Sequence, residues 1–241
     1  MFVKLISGTL PTRLSLPRLP SQCRVCHSWP AQPVCEACVN QFAQPQSRCL
    51  TCALPLPAAQ HGSARHCGGC LKAPPPLARC LAAVSYAYPW ATLIAHYKFH
   101  AEPGLVRSFA TLLRAAPWVE PALDEADMLL PMALSSERLK VRGYNQALLL
   151  ARQLEPINTR ADVLLRIQDT PAQHTLKRAE RLTALDHAFA VDSLLVDALR
   201  GKNVLLVDDV MTTGASLFTA ARVLKAAGAS QVTGLVFART E

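Results

Sequence analysis

Beyond residue 80 the apolar positions switch repeatedly between two spacings. Short apolar runs read as strands, and apolar residues three and four apart read as helices packed on one side. The strands expected are Leu81 to Tyr88, Asp127 to Pro131, Ala161 to Ile167, Asn203 to Asp209 and Gln231 to Arg239, with Ala188 to Val191 as a short edge strand. Between them the spacing predicts helices over Trp90 to Lys98, Leu105 to Ala115, Tyr144 to Leu154 and Gly214 to Ala227, and a charged helix over Thr175 to Leu185. Leu105, Phe109, Leu112 and Leu113 share one face of the second of these, and Gly228 follows the last apolar turn as a glycine cap does. Strands alternating with helices imply an α/β fold, a largely parallel sheet with helices on both faces. Residues Asn203 to Arg239 close it as one βαβ unit. Ligands of such sheets bind at the carboxyl ends of the strands.

The first eighty residues lack that rhythm and are punctuated by cysteine and proline. Eight of the nine cysteines form Cys-x-x-Cys pairs: Cys23/Cys26, Cys35/Cys38, Cys49/Cys52 and Cys67/Cys70. Two such knuckles make an all-cysteine tetrahedral site, so four knuckles suggest two structural zinc ions. Sequential pairing suits the short gaps, although spacing alone leaves a crossed pairing open. Disulfides are disfavoured in a reducing compartment, an iron–sulfur cluster seldom uses four evenly built knuckles, and a redox Cys-x-x-Cys is expected once, beside a βαβ pattern. His27 and His66 adjoin the knuckles and could substitute as ligands, but with every knuckle complete they are expected at the surface; Cys80, without a partner, reads as a small core residue. The Pro74-Pro75-Pro76 run cannot continue a helix and marks a boundary. The expected organisation is an extension (1–22), a double zinc ribbon (23–76) and an α/β domain (77–241). So small a ribbon has few apolar residues, so metal binding must supply its folding energy. Chelation is expected to unravel the front third and leave the rest folded.

Charge sharpens the contrast. Residues 1–80 carry eight lysines and arginines against one acid, Glu36, whereas residues 81–241 carry seventeen against sixteen. Clustered positive charge favours a polyanion through counterion release, which makes single-stranded DNA a candidate partner for the N-terminal third; a solvated surface is the plain alternative. No apolar run reaches the ~18–20 residues of a membrane helix. Met1 to Leu10 is interrupted too soon by Thr12, Arg13 and prolines to be a signal peptide. A cytoplasmic protein is expected, peripheral at the inner face of the membrane only through partners.

The richest chemistry lies in Val204-Leu205-Leu206-Val207-Asp208-Asp209-Val210-Met211-Thr212-Thr213-Gly214-Ala215-Ser216. An apolar strand runs into two carboxylates and then a small-residue turn that opens a helix. Unpaired N–H groups and the positive end of the helix dipole converge there on an anion. The hydroxyls of Thr212, Thr213 and Ser216 add donors for a phosphate, and Asp208 and Asp209 can accept hydrogen bonds from a ribose diol. Simple capping needs one polar side chain, and here there are five. A P-loop is excluded: Gly201-Lys202 is followed by Asn203 and has no glycine five residues ahead. The run resembles the 5-phosphoribosyl-1-diphosphate (PRPP) signature of type I phosphoribosyltransferases.

Four further stretches extend the resemblance: Cys67 to Cys70 leading into the prolines, Leu93 to Phe99, Arg138 to Gln146, and Asp169 to Gln173 followed by Lys177 to Arg181. In this order they are similar to the ComF family of competence-related, phosphoribosyltransferase-like proteins. That resemblance implies a type I phosphoribosyltransferase fold behind a double zinc ribbon, and a role in DNA uptake during natural transformation or in the use of imported DNA, with the DNA-uptake machinery as partner. It assigns the ribose hydroxyls to Asp208 and Asp209, and the 5′-phosphate to Thr212, Thr213, Gly214, Ala215 and Ser216. The pyrophosphate falls to Pro131 and Met132 with Ala133, where the family commonly has a second proline, as it commonly has a basic residue at Glu137. By the same resemblance Arg138, Lys140 and Arg142 would neutralise the leaving group, with Mg²⁺ sharing that work. Asn145 and Gln146 are either ligands of the same oxygens or a helix cap, and Lys98 either reaches the diphosphate or snorkels to solvent. The expectation is a phosphoribosyltransferase with catalytic Asp208, Asp209 and Arg142 whose acceptor the residues do not identify. The alternative is a non-catalytic single-stranded DNA-binding module that senses PRPP or a nucleotide.

Overall fold

The computed structural model describes residues 21–57, 65–167 and 188–241; the charged helix expected from Thr175 to Leu185, the stretches Asp169 to Gln173 and Lys177 to Arg181, and residues 1–20 of the extension lie outside them. The strands are β1 (Arg79–Ser85), β2 (Met128–Pro131), β3 (Leu164–Arg166), β4 (Phe189–Val191), β5 (Asn203–Met211) and β6 (Gln231–Arg239). Among the described residues the helices are α1 (Glu36–Phe42), α2 (Gly68–Lys72), α3 (Trp90–Phe99), α4 (Val106–Ala115), α5 (Val119–Asp124), α6 (Ser136–Arg142) and α7 (Gln146–Leu154), then a single turn at Val196–Leu199 and a C-terminal helix, Ala215–Ala226. Strands β1, β6, β5 and β2 pair side by side in that order, every pair parallel.

Strand alternation divides the core into two layers. Val204 and Leu206 of β5 and Met128 and Leu130 of β2 face the C-terminal helix, meeting Leu217, Ala220, Ala221 and Leu224. Leu205, Val207 and Leu129 face the other way, onto α3, α4 and α7 through Ile94, Tyr97, Phe109 and Leu150. Leu205, Leu206 and Val207 are almost wholly buried; burial of each such side chain is worth roughly 1.5–3 kcal/mol. Both faces of these strands are covered, which is why their sequences read as unbroken apolar runs.

Two expectations change. The segments expected as Ala161 to Ile167 and Ala188 to Val191 do not join the main sheet: β3 and β4 pair antiparallel with each other as a separate two-stranded sheet. Leu164 and Phe189 are buried there while Leu165 stays exposed, and strands wet on one side cannot replace a central parallel strand buried on both. Strand β5 also outruns its expected end at Asp209, because β6 pairs with Val210 and Met211 through Ala238 and Arg239.

The cysteine-bearing segment shares the core. Val34 and Cys38 belong to the layer of α3 and α4, while Cys52, Ala53 and Cys70 belong to the layer of the C-terminal helix. The Trp90 indole N–H donates to the Phe42 carbonyl at 2.8 Å, and the Cys80 N–H donates to the Leu50 carbonyl at 2.8 Å. The segment thus packs against the β1 side of the sheet. The chain leaves β2 for α7 on one face and leaves β5 for the C-terminal helix on the other. That divergence opens a crevice between the two strand ends.

Candidate functional site

Strand β2 stops at Pro131, and after Met132 N–H donates to the Val207 carbonyl (2.8 Å) the edge of β5 is left without a neighbour. Asp208 and Asp209 stand on that open stretch and, by alternation, on opposite faces. Asp209 is buried on the α3 side, where the Lys98 ammonium meets its carboxylate at 2.8 Å. Asp208 carries its carboxylate to the other face and accepts the Asp209 N–H at 2.8 Å. Both line a cleft of about 430 Å³. Burial, and then the charge of Asp209, push the Asp208 carboxyl up to about 7, against the pull of Lys98, the Asp209 N–H and Arg142.

Thr212, Thr213, Gly214, Ala215 and Ser216 connect β5 to the C-terminal helix, and all five line the same cleft. Gly214 is the N-cap, with φ +81°. A side chain there would be strained by the left-handed backbone, and its Cβ would lie 2.4 Å from the Met211 methyl and 2.6 Å from the Phe218 ring. Thr213 Oγ1 accepts the Ala215 N–H at 3.3 Å. The turn closes tightly enough for the first N–H groups of a twelve-residue helix to face the cleft.

The basic wall comes from α6. Ser135 caps it by accepting the Arg138 N–H at 3.4 Å, and Gly143, at φ +77°, ends it. Arg138 and Arg142 are four residues apart, share one helix face and line the cleft. Lys140, two residues from each, is exposed elsewhere and is not among the lining residues. Asn145 caps α7, accepting the Leu148 N–H at 3.1 Å and donating to the Met132 carbonyl at 3.0 Å. Gln146 is buried behind Arg142, whose guanidinium donates to the Gln146 side-chain Oε1 at 3.1 Å. Neither Asn145 nor Gln146 lines the cleft, and Pro131 does not either; it is buried in β2 opposite Val207. Met132, Ala133 and Leu134 do line it.

Sequence reasoning missed Arg166. This residue ends β3 and lines the cleft, its guanidinium 5.4 Å from the Phe189 ring centre. Its only signal was a cation closing an apolar run, and the expected main-sheet strand gave no reason to aim it at the strand ends. Lys98, Arg138, Arg142 and Arg166 together outnumber the two carboxylates, so the cleft favours a ligand with several negative charges.

The cysteines gather as sequential pairing expects: Cys23, Cys26, Cys35 and Cys38 in one group, Cys49, Cys52, Cys67 and Cys70 in the other, with the sulfurs of each group within 4.8 Å of one another. The distances Cys23–Cys38 (3.9 Å), Cys26–Cys35 (3.5 Å) and Cys52–Cys67 (3.7 Å) match the ~3.8 Å edge of a tetrahedron with metal–sulfur bonds of about 2.3 Å. Backbone N–H groups of Val25 and Cys35 point at Cys23 Sγ, and that of Cys67 at Cys49 Sγ, supporting thiolates. Both groups can hold a metal ion. His27 is exposed, and His66 bonds Thr51 Oγ1 at 2.8 Å. Buried Cys80 lies apart from both groups, its thiol pushed up to about 12 by burial. The basicity of the N-terminal third is partly consumed: Arg24 pairs with Glu102 and Arg79 with Glu125, each at 2.5 Å, and Arg48 bonds the Ala53 carbonyl and Ser85.

Residues 141–240 match the family model described as the Phosphoribosyl transferase domain, which agrees with the parallel sheet and its flanking helices. The chain is 29% identical to DNA utilization protein YhgH of Salmonella typhimurium, over 94% of this chain and 99% of that protein. It is 32% identical to Competence protein F of Haemophilus influenzae over 70% of this chain and 76% of that protein. To Competence protein ComFC of Bacillus subtilis it is 32% identical over 58% and 57% of the two chains. The chain belongs to the ComF family. Among the described residues no helix is long and apolar enough to cross a membrane.

Proposed function

We propose that the cleft binds PRPP, or a related ribose phosphate, and that the protein acts in DNA uptake or in the use of imported DNA. The observation that carries this reading is the meeting of the Thr212–Ser216 cradle with two carboxylates and four cations in one cleft. The cradle would take the 5′-phosphate through N–H groups and hydroxyls. Asp208 and Asp209 would accept from the ribose diol, Lys98 meanwhile holding Asp209 in place. Arg138, Arg142 and Arg166 would stabilise pyrophosphate as its bond to C1 breaks and positive charge builds on the sugar. Mg²⁺ bound with the ligand would offset further negative charge. Zinc is the metal best suited to two all-cysteine tetrahedra and would tie the front segment (23–76) to the α/β part (77–241). The names of the relatives support the setting in DNA metabolism, and a cytoplasmic location suits unpaired cysteines.

A second reading, in which the cleft senses PRPP or a nucleotide while the N-terminal third holds single-stranded DNA, is favoured by the exposed Arg65 and Lys72. Titrating PRPP and Mg²⁺ into the protein by calorimetry tests the shared claim. Heat is expected from the wild type and not from Asp208→Asn/Asp209→Asn; silence in both rejects the pocket. A salt series with a single-stranded oligonucleotide tests the second, since a flat dependence removes the polyanion contact.

A further inference from the structure

Arg239 closes β6, a buried cation, 7% exposed, directly after the apolar run Leu235 to Ala238. Its guanidinium spans two parts of the molecule that the sequence treats separately. Nε donates to the Cys52 carbonyl at 2.9 Å, within the third cysteine knuckle. A terminal nitrogen donates to the Thr212 carbonyl at 2.5 Å and to the Met211 carbonyl at 3.4 Å, at the start of the cradle. The same nitrogen reaches the Thr240 carbonyl and hydroxyl.

A second route joins the same two places. Cys80 donates its N–H to Leu50, inside that knuckle, and its sulfur lies 3.7 Å from the Met211 sulfur. The Met211 methyl in turn crowds Gly214, the cap of the cradle helix. The group of Cys23, Cys26, Cys35 and Cys38 belongs to the opposite core layer, with α3 and α4. Among the described residues no hydrogen bond links it to residues 211–216.

We propose that Arg239 is a positioning residue that holds the phosphate cradle in register with the second cysteine site, so that metal in that site, and not in the first, sets the cradle's shape. The guanidinium is a planar fork whose donors leave at fixed angles, and it can hold two carbonyls on separate segments in one geometry. A lysine keeps the charge but has no fork. The Cys52 carbonyl is a fixed anchor only while its knuckle is closed around an ion, since without the metal–sulfur bonds the buried sulfurs take up protons and nothing holds the turn shut. The carbonyls of Met211 and Thr212 immediately precede the N–H groups offered to a phosphate, so a shift at one end of the fork is delivered to the ligand.

The test uses the full-length, metal-loaded chain and reads hydrogen exchange at amides 212–216 together with the affinity for ribose 5-phosphate. The affinity arm rests on the ribose phosphate reading and the exchange arm does not, so a wild type that binds no ribose 5-phosphate sinks that reading and leaves exchange to decide this one. Arg239→Lys is expected to keep both metals and normal protection in amides 204–208, to exchange faster at 212–216 and to bind about tenfold more weakly, the equivalent of one charge-assisted hydrogen bond. General destabilisation would instead raise exchange along β5 and β6 alike, and that result, or unchanged exchange at 212–216, overturns the proposal. If Arg239→Lys does not fold, Cys67→Ser and Cys26→Ser decide: faster exchange at 212–216 only in Cys67→Ser supports the link, and equal behaviour of the two refutes it.

Discussion

Asp208 illustrates how one side chain sets function against stability. Its carboxyl is raised to about 7 by burial and by Asp209, against an ordinary value of 3.8. Between pH 4 and pH 7 the folded chain therefore holds more protons than the unfolded one, and stability falls as pH rises through that window. Asp208→Asn is expected to flatten this dependence and to raise stability at pH 8 by roughly 1–2 kcal/mol, less than the full shift because the carboxyl keeps contact with solvent. Urea unfolding at pH 5 and pH 8 measures it; a variant less stable than wild type at pH 8 contradicts the burial argument. The same substitution abolishes an acceptor for the diol, so gained stability should accompany lost binding. Asp208 and Asp209 were legible in the sequence because two adjacent acids interrupt an apolar run just ahead of a small-residue turn. The pairing of Asp209 with Lys98 was not, since it joins side chains more than a hundred residues apart.

At the scale of elements, the fit of the C-terminal helix against the sheet depends on a missing side chain. Gly234 lies in β6 beneath Leu217, and a Cβ there would stand 2.7 Å from a Leu217 methyl and 3.0 Å from Cys80 Sγ. Gly234→Ala is expected to cost about 1–2 kcal/mol by overpacking and, because Leu217 follows Ser216 directly, to weaken ribose phosphate binding as well. Denaturant midpoints and calorimetry on one preparation check both; an unchanged midpoint means that the layers separate without strain. Helix α6 carries the complementary lesson. Its sequence offers Arg138, Lys140 and Arg142 as equals, and only the helical period separates them, placing the first and third on the cleft and the second outside it. The sequence supplied enough to make that distinction, once the segment is taken as a helix with Ser135 as cap. Asn145 likewise belongs to the helix end it caps.

For the whole molecule the decisive feature is a core shared between the metal-binding segment and the sheet. Sequence alone expects chelation to unravel residues before the prolines and spare the remainder. The structure instead buries Cys52, Ala53 and Cys70 with Leu77, Cys80 and Leu217, and Val34 and Cys38 with Trp90 and Leu93. Removing the ions is therefore expected to expose β1 along with the cysteine segment and to lower the thermal midpoint of the whole chain. Metal analysis should find two ions per chain, and hydrogen exchange after chelation should show lost protection at Arg79–Ser85; protection retained there would restore the picture of two independent parts. Charge behaves similarly. Three arginines of the basic N-terminal third bond partners within the fold, so the salt dependence of DNA binding should be shallower than eight cations would give.

The amino-acid sequence alone determined what is written in neighbouring residues: the βαβ close of the chain, the four cysteine knuckles, and the cradle with its two acids. These rest on spacing within a dozen or so positions, where backbone geometry dictates which side chains meet. Tertiary structure decided the rest: that Lys98 and Arg166 reach the cleft, that Pro131 does not, that β3 and β4 stand apart from the main sheet, and that Arg239 ties a knuckle to the cradle. Those contacts span tens to nearly two hundred residues. Local periodicity carries no information at that range; packing two layers on one sheet fixes it.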